Sequence, residues 1–99
     1  MFVLFDLPVV TRDERRRATR FRNDLIEDGF GMKQYSVYLR FFDSREKAEA
    51  SAARIAKLVP EGGEVSVLFV TDKQFGQMLN FYGTVPKPSE KKPDQLALF

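Results

Sequence analysis

Met1-Phe2-Val3-Leu4-Phe5-Asp6-Leu7-Pro8 is an apolar run that ends in one acidic residue and a proline. Five of its first six residues are apolar, the composition of a strand buried on both faces. Asp6 then falls at the C-terminal end of that strand, where loops begin and ligands usually bind in sheet proteins. Pro8 cannot donate to a ladder, so the strand stops near Leu7. Two roles are open to Asp6: it hydrogen-bonds the turn, as short polar side chains commonly do, or it holds a metal.

The elements that follow decide the fold. Thr11-Arg12-Asp13-Glu14 has the form of a capping box, with Thr11 as N-cap and Glu14 at the third helical position. A helix is predicted from about Arg12 to Asp28, with Ala18, Phe21 and Leu25 on one face, Ile26 beside them, and Gly29 closing it. Residues 30–42 are rich in β-formers. They read as one long strand or as two short strands in a tight hairpin, with the break placed near Gln34-Ser36. Asp43 or Ser44 caps a second helix, about Arg45 to Val59, whose narrow buried face is Ala48, Ala52, Ile55 and Val59. Pro60 and Gly62-Gly63 end it. Val65 to Val70 is nearly continuous in apolar residues and reads as a central or inner strand. Thr71-Asp72-Lys73-Gln74 is a second capping box, opening a short helix to about Phe81 with Phe75, Met78 and Leu79 turned inward and Gly83 closing it.

Strand, helix, one or two strands, helix, strand is an α+β order, and the natural candidate is the split βαβ or ferredoxin-like arrangement, a βαββαβ sandwich with a short extra helix. Residues 1–83 form that domain. Residues 84–99 form a Pro/Lys-rich linker and a C-terminal tail. Leu96, Leu98 and Phe99 are poorly placed in water, so the tail is either a loose terminus or a docking strand added to a sheet edge, on this chain or a partner. A small sheet with an open face and an exposed edge invites dimerisation, and 13% aromatic residues exceeds what one small core needs.

Composition narrows the chemistry. There is no histidine, which excludes His-based triads and His-ligated zinc, and no cysteine, which excludes disulfides and thiolate metal sites. Absence of cysteine agrees with the cytoplasm. No apolar run approaches a membrane span, and Met1 leads straight into the strand without the basic region of a signal peptide. Net charge is only +2, but its placement is uneven: six arginines lie between Arg12 and Arg22 against two acids, Asp13 and Glu14. Arg12, Arg16 and Arg20 form a stripe roughly opposite the apolar face. Such a stripe is either a solvated face or a phosphate track, and arginine grips phosphate with a planar fork. Arg12, Arg15, Arg16, Lys33 and Arg40 are the expected contacts to a nucleic-acid backbone. No base-reading motif accompanies them. A single Mg²⁺ shared by two copies of Asp6 across a two-fold axis is the one metal site the acids suggest, and it would serve phosphodiester hydrolysis. The other acids, Asp13, Glu27, Asp28, Asp43 and Asp72, read as capping and solubility. A purely protein-binding adaptor is also compatible with the composition.

Phe5-Asp6-Leu7-Pro8, the Arg-rich helix, Gly29-Phe30-Gly31-Met32-Lys33-Gln34-Tyr35-Ser36-Val37-Tyr38 and Val70-Thr71-Asp72-Lys73-Gln74-Phe75 together resemble the CRISPR-associated Cas-two family, the small adaptation protein that works with the CRISPR integrase. The likeness covers about residues 2–83 in the family's order and spacing, and its variants look most like members from systems with a Cas9-type effector. The resemblance implies a ferredoxin-like homodimer placed between two integrase dimers, helping to hold the duplex DNA to be stored as a new spacer. It implies that the family's metal-binding, catalytic aspartate is Asp6, with Mg²⁺ as cofactor and RNA or DNA as substrate. It further implies phosphate contacts from Arg12, Arg15, Arg16, Lys33 and Arg40, and a tail carrying Leu96, Leu98 and Phe99 that crosses to a partner. The expected function is therefore a spacer-adaptation scaffold. The alternatives are a metal-dependent endonuclease and a toxin-like ribonuclease.

Overall fold

Valine, phenylalanine and leucine alternate out of the strand Phe2–Asp6 (β1) so that Val3 and Phe5, with Leu7 just beyond, point to one side and are buried there. The computed structural model describes residues 1–84. Helix α1 (Arg12–Glu27), strands β2 (Gly31–Gln34) and β3 (Val37–Leu39), helix α2 (Arg45–Ala56), strand β4 (Glu64–Leu68) and helix α3 (Asp72–Gly76) follow. The sheet order is β2-β3-β1-β4 with every neighbouring pair antiparallel. With a helix after β1 and another after β3, this is the ferredoxin-like α+β topology.

The core lies between the sheet and the long helices. Phe21 and Leu25 from α1, and Ala48 and Ile55 from α2, bury against Val3, Phe5 and Tyr38. The Phe5 ring meets Phe21 edge-on at 5.2 Å and Tyr38 at 5.5 Å. Each fully buried Leu or Phe side chain contributes about 1.5–3 kcal/mol by leaving water. Both ends of α1 are closed as expected. Thr11 accepts from the Glu14 amide and Glu14 returns the bond, while Gly29 follows the helix at φ 95°. The β-rich segment is two strands, broken at Tyr35-Ser36, and β2 carries an irregularity between Met32 and Gln34.

Four expectations need correction. First, β1 is buried on one face rather than both. Both long helices lie on the Val3–Phe5 side. On the other side, among the described residues, only Phe2 is covered, by Phe75 of α3 at 6.1 Å, while Leu4 and Asp6 are exposed. Second, among the described residues β4 lies at the edge of the sheet, where an inner strand was expected. Its apolar run hides an alternation in which Val65, Val67 and then Phe69 pack on the core while Glu64, Ser66 and Leu68 face away. Third, α2 ends at Ala56, where the Leu58 amide bonds the Ile55 carbonyl and tightens the last turn. Its buried face includes Ser51, and on α1 Ile26 is exposed. Fourth, α3 ends at Gly76 with Gln77 as its cap, well before Phe81 and Gly83. Phe75 is inward and stacks edge-on with Phe41 at 5.3 Å, but Leu79 is exposed. Leu96, Leu98, Phe99 and the tail strand lie outside the described residues. Among the described residues no helix is long and apolar enough to cross a membrane.

Candidate nucleic-acid interface and carboxylate pair

Asp6, the last residue of β1, is matched in the β1–β4 ladder with Glu64, the first residue of β4. Residues directly opposite in an antiparallel pair share a face, with Cβ atoms about 4.5–5.5 Å apart. The turn before Glu64 makes this register possible. Gly62 has φ 79°, and a Cβ on Gly63 would lie 2.6 Å from Cδ2 of Leu7. Glycine there lets the turn pass closely over Leu7-Pro8 and set Glu64 beside Asp6. Both carboxylates are exposed, and neither has a salt-bridge partner among the described residues. Like charges in this position repel. A Mg²⁺ ion typically takes one or two protein carboxylates and completes its shell with water and phosphate, so this donor set fits such an ion. Among the described residues no larger group of acidic, His or Cys side chains forms a closed cage.

Next to Asp6 a cleft of about 380 Å³ opens between the end of β1, the first turns of α1 and the tip of the β2–β3 hairpin. Asp6, Val9, Arg15, Thr19, Arg22 and Tyr35 line it. Nη1 of Arg15 donates to the carbonyls of Val10 at 2.8 Å and Val9 at 3.3 Å, which fixes the guanidinium over the β1–α1 loop. Arg22 lies with its guanidinium carbon 5.5 Å from the centroid of Tyr35. Its Nε is buried without a hydrogen-bond partner, and no carboxylate pairs with Arg22 among the described residues.

Along α1, Arg12, Arg16 and Arg20 are all exposed, as the four-residue spacing predicts. The two acids nearby do little to neutralise them. Asp13 meets Arg16 at 3.4 Å in an exposed pair, a contact worth little in water. Glu14 is committed to the cap: its Oε1 accepts from the amides of Val10 and Thr11, both at 2.9 Å. Backbone hydrogen bonds from Thr11 lead the causes that hold the Glu14 carboxyl below its ordinary range.

The expected site residues therefore divide. Asp6 and Arg15 line one cleft, and Arg12 and Arg16 lie on the first turns of the helix beside it. Lys33 sits at the irregularity in β2, where its Nζ donates to Oδ1 of Asn80 at 2.9 Å. Arg40 follows β3 at the opposite end of the sheet from Asp6, with its amide bonded to the Met1 carbonyl. Its side chain is held by the fold: it donates to the Asp28 carbonyl, pairs with the Asp28 carboxylate at 3.5 Å and lies 4.5 Å from the Phe42 ring centroid. Asp28, read from the sequence as a solvent-facing helix end, is a hub. It also accepts from Ser51 Oγ at 2.8 Å and from Arg54 at 3.1 Å.

Three residues of the site escaped the sequence reading: Glu64, Arg22 and Tyr35. Glu64 is the residue just before the Val65–Val70 run, so its place opposite Asp6 follows once β4 is set antiparallel to β1. Arg22 and Tyr35 are separated by thirteen positions, and only the hairpin tip returning over α1 brings them together.

The fold and this end of it define a small ferredoxin-like domain with an arginine-rich helix, a carboxylate pair and a cationic cleft beside them. A family model described as "CRISPR associated protein Cas2" matches residues 1–78. A protein of Flavobacterium psychrophilum is 50% identical over 99 residues, covering all of this chain and 86% of the relative. One from Parvibaculum lavamentivorans is 46% identical, covering all of this chain and 98% of the relative. One from Paracidovorax avenae is 44% identical, covering all of this chain and 92% of the relative. All three relatives bear the name "CRISPR-associated endoribonuclease Cas2". The chain belongs to the CRISPR-associated Cas2 family.

Proposed function

We propose that the protein is a homodimeric, cytoplasmic subunit of CRISPR spacer adaptation, which bridges integrase dimers and holds the incoming duplex DNA by its phosphate backbone. The observation that carries this reading is the arginine face of α1. Arg12, Arg16 and Arg20 are exposed, and among the described residues only Arg16 of the three forms a salt bridge, one exposed pair with Asp13. Such a face adds affinity for any duplex through release of counterions and needs no base contacts. Arg15 continues it toward Asp6, and Lys33 stands on the hairpin strand. Arg40 is left out of the track, since its guanidinium is tied to Asp28 at the far end of the sheet.

The second copy would cover the open face of the sheet. Leu4, Phe41 and Leu68 are exposed there, and among the described residues β4 is an edge strand. An apolar sheet face beside an unpaired edge is a surface that a two-fold pair buries. The test is duplex binding across salt, with and without the integrase. Steeply salt-dependent binding that tightens with integrase supports the scaffold, for wild type and Asp6→Ala alike. Salt-insensitive or absent binding removes the phosphate track.

A second reading has its own support in the Asp6–Glu64 register and in the endoribonuclease name that the relatives bear. In this reading the protein is a Mg²⁺-dependent endonuclease acting on RNA or DNA, with Asp6 as the catalytic metal ligand and Glu64 beside it. When bound, the ion would polarise the phosphodiester and activate water. Arg15 would orient the phosphate and hold its charge. Loss of hydrolysis in Asp6→Ala with nucleic-acid binding intact supports this reading, and hydrolysis that persists in Asp6→Ala removes it.

A further inference from the structure

We infer that the cleft beside Asp6 is a subsite for one unstacked nucleotide, its base lying on Tyr35 and its phosphate held by Arg15 and Arg22. This rests on the endonuclease reading and adds the residues that would seat the chain next to the carboxylate pair. Four observations converge. The first is volume: about 380 Å³ falls within the range of small-ligand sites, about 300–1,000 Å³. The second is charge. Arg15 and Arg22 both line the cleft, and neither has a carboxylate partner among the described residues. Arg15 is oriented by the Val9 and Val10 carbonyls, so it is positioned without being neutralised.

The third is the state of Arg22. Among the described residues its Nε is buried with no acceptor and no carboxylate pairs with it, and its guanidinium lies over the face of Tyr35. A buried donor without an acceptor costs about 1–3 kcal/mol. An anion in the cleft supplies the missing charge. The fourth is Tyr35 itself, a large aromatic residue that is 77% exposed at a hairpin tip. Arg22 occupies one face of a two-faced ring. The other face is open, and a nucleobase stacked there would complete a sandwich of base, tyrosine and guanidinium. A paired duplex keeps its bases stacked on one another and cannot use such a platform. The subsite therefore selects single-stranded or frayed segments, whereas the α1 arginine face accepts duplex.

The test uses full-length protein, a short single-stranded RNA carrying a fluorescent purine analogue, and a duplex of the same length. Base stacking on an aromatic side chain is worth about 1–3 kcal/mol, so Tyr35→Leu is expected to weaken single-strand binding by about 5- to 150-fold and to abolish quenching of the analogue. Tyr35→Trp should restore both, and duplex binding should be unchanged in either variant. Arg22→Gln should lower the single-strand salt slope by about 0.7, the value of one neutralised phosphate. Tyr35 is exposed, so its variants should fold, and thermal unfolding checks these and Arg22→Gln. Wild-type affinity and quenching in Tyr35→Leu overturn the subsite, as does an equal loss for single strand and duplex. Tyr35-dependent binding without hydrolysis in Mg²⁺ supports the subsite while removing the endonuclease reading. Hydrolysis indifferent to Tyr35 does the reverse.

Discussion

Glu64 stands directly opposite Asp6 across the β1–β4 ladder, so two carboxylates share one sheet face where the strands end. The arrangement is unfavourable without a cation, and it predicts opposite signs in two conditions. Without divalent metal, Glu64→Gln relieves like-charge repulsion and should stabilise the protein by about 0.2–1 kcal/mol. With Mg²⁺ the wild type should gain stability by mass action, and Glu64→Gln should gain less. Urea melts with and without Mg²⁺ measure both. Equal Mg²⁺ stabilisation in wild type and Glu64→Gln would remove Glu64 from the site.

The arginine face of α1 makes a prediction in salt rather than in affinity alone. Replacing Arg12, Arg16 and Arg20 with Gln should flatten the dependence of log K on log salt by about 0.9 for each duplex phosphate no longer neutralised. Arg40→Gln should leave that slope alone, because its guanidinium is tied to Asp28 at the far end of the sheet. Salt titrations of duplex binding by fluorescence anisotropy separate the two. A slope that falls with Arg40→Gln and not with the helix variant would reverse the assignment.

Asp28 ties α1 to α2 through Ser51 and Arg54, and to β3 through Arg40. Ser51 is fully buried, so its hydroxyl has no water to replace the Asp28 acceptor. Asp28→Ala removes the acceptor for that hydroxyl and the counter-charge for Arg40. The expected loss is about 1–3 kcal/mol of folding stability, read from urea midpoints at unchanged m-value. Duplex binding by the folded variant should match wild type. A loss under about 0.5 kcal/mol, the range of an ordinary surface change, would mean that the hub is dispensable.

These contrasts mark how far local pattern reaches. The two capping boxes and Gly29 were legible because a cap needs residues three apart and a positive φ at one position. Asp6 was legible from a strand run stopped by Pro8. Glu64 was not, because its role depends on the register between segments more than fifty residues apart. The one-sided burial of β4 was misread for a related reason. A run such as Val65–Val70 looks the same whether its second face meets another layer or is left open, and here Leu68 is left open. Asp28 looked solvated because nothing local announces that Ser51, Arg54 and Arg40 converge on it.

Glu14 gives the capping box a pH signature. Its carboxyl titrates below the ordinary 4.5 because backbone amides donate to the ionised form. A depressed folded pKa means the contribution is complete above the unfolded value and is lost as pH falls through the lower, folded one. Glu14→Gln keeps a neutral acceptor at the same position. Wild type should therefore be more stable than Glu14→Gln at neutral pH, and the gap should close on acidification below about 4.5. Thermal melts across pH follow it. A gap that stays constant into acid would mean that the charge on Glu14 plays no part in the cap.

Leu68 tests whether the open face is where two copies meet. It is 52% exposed on an edge strand, and on the same side Phe41 is 62% exposed beside Phe75 of α3. An apolar patch of this kind normally marks an association surface. Leu68→Lys places a charge in that patch without touching the core, onto which Val65, Val67 and Phe69 pack from the opposite side of the strand. The variant should sediment as a monomer, and its melting temperature should no longer rise with protein concentration. Duplex binding should weaken as well, because two linked arginine faces bind more tightly than one. The single-strand affinity set by Tyr35 should persist, since that cleft is built from one protomer. A Leu68→Lys protein that remains dimeric would move the interface away from this face, and the free edge of β4 would then need another occupant.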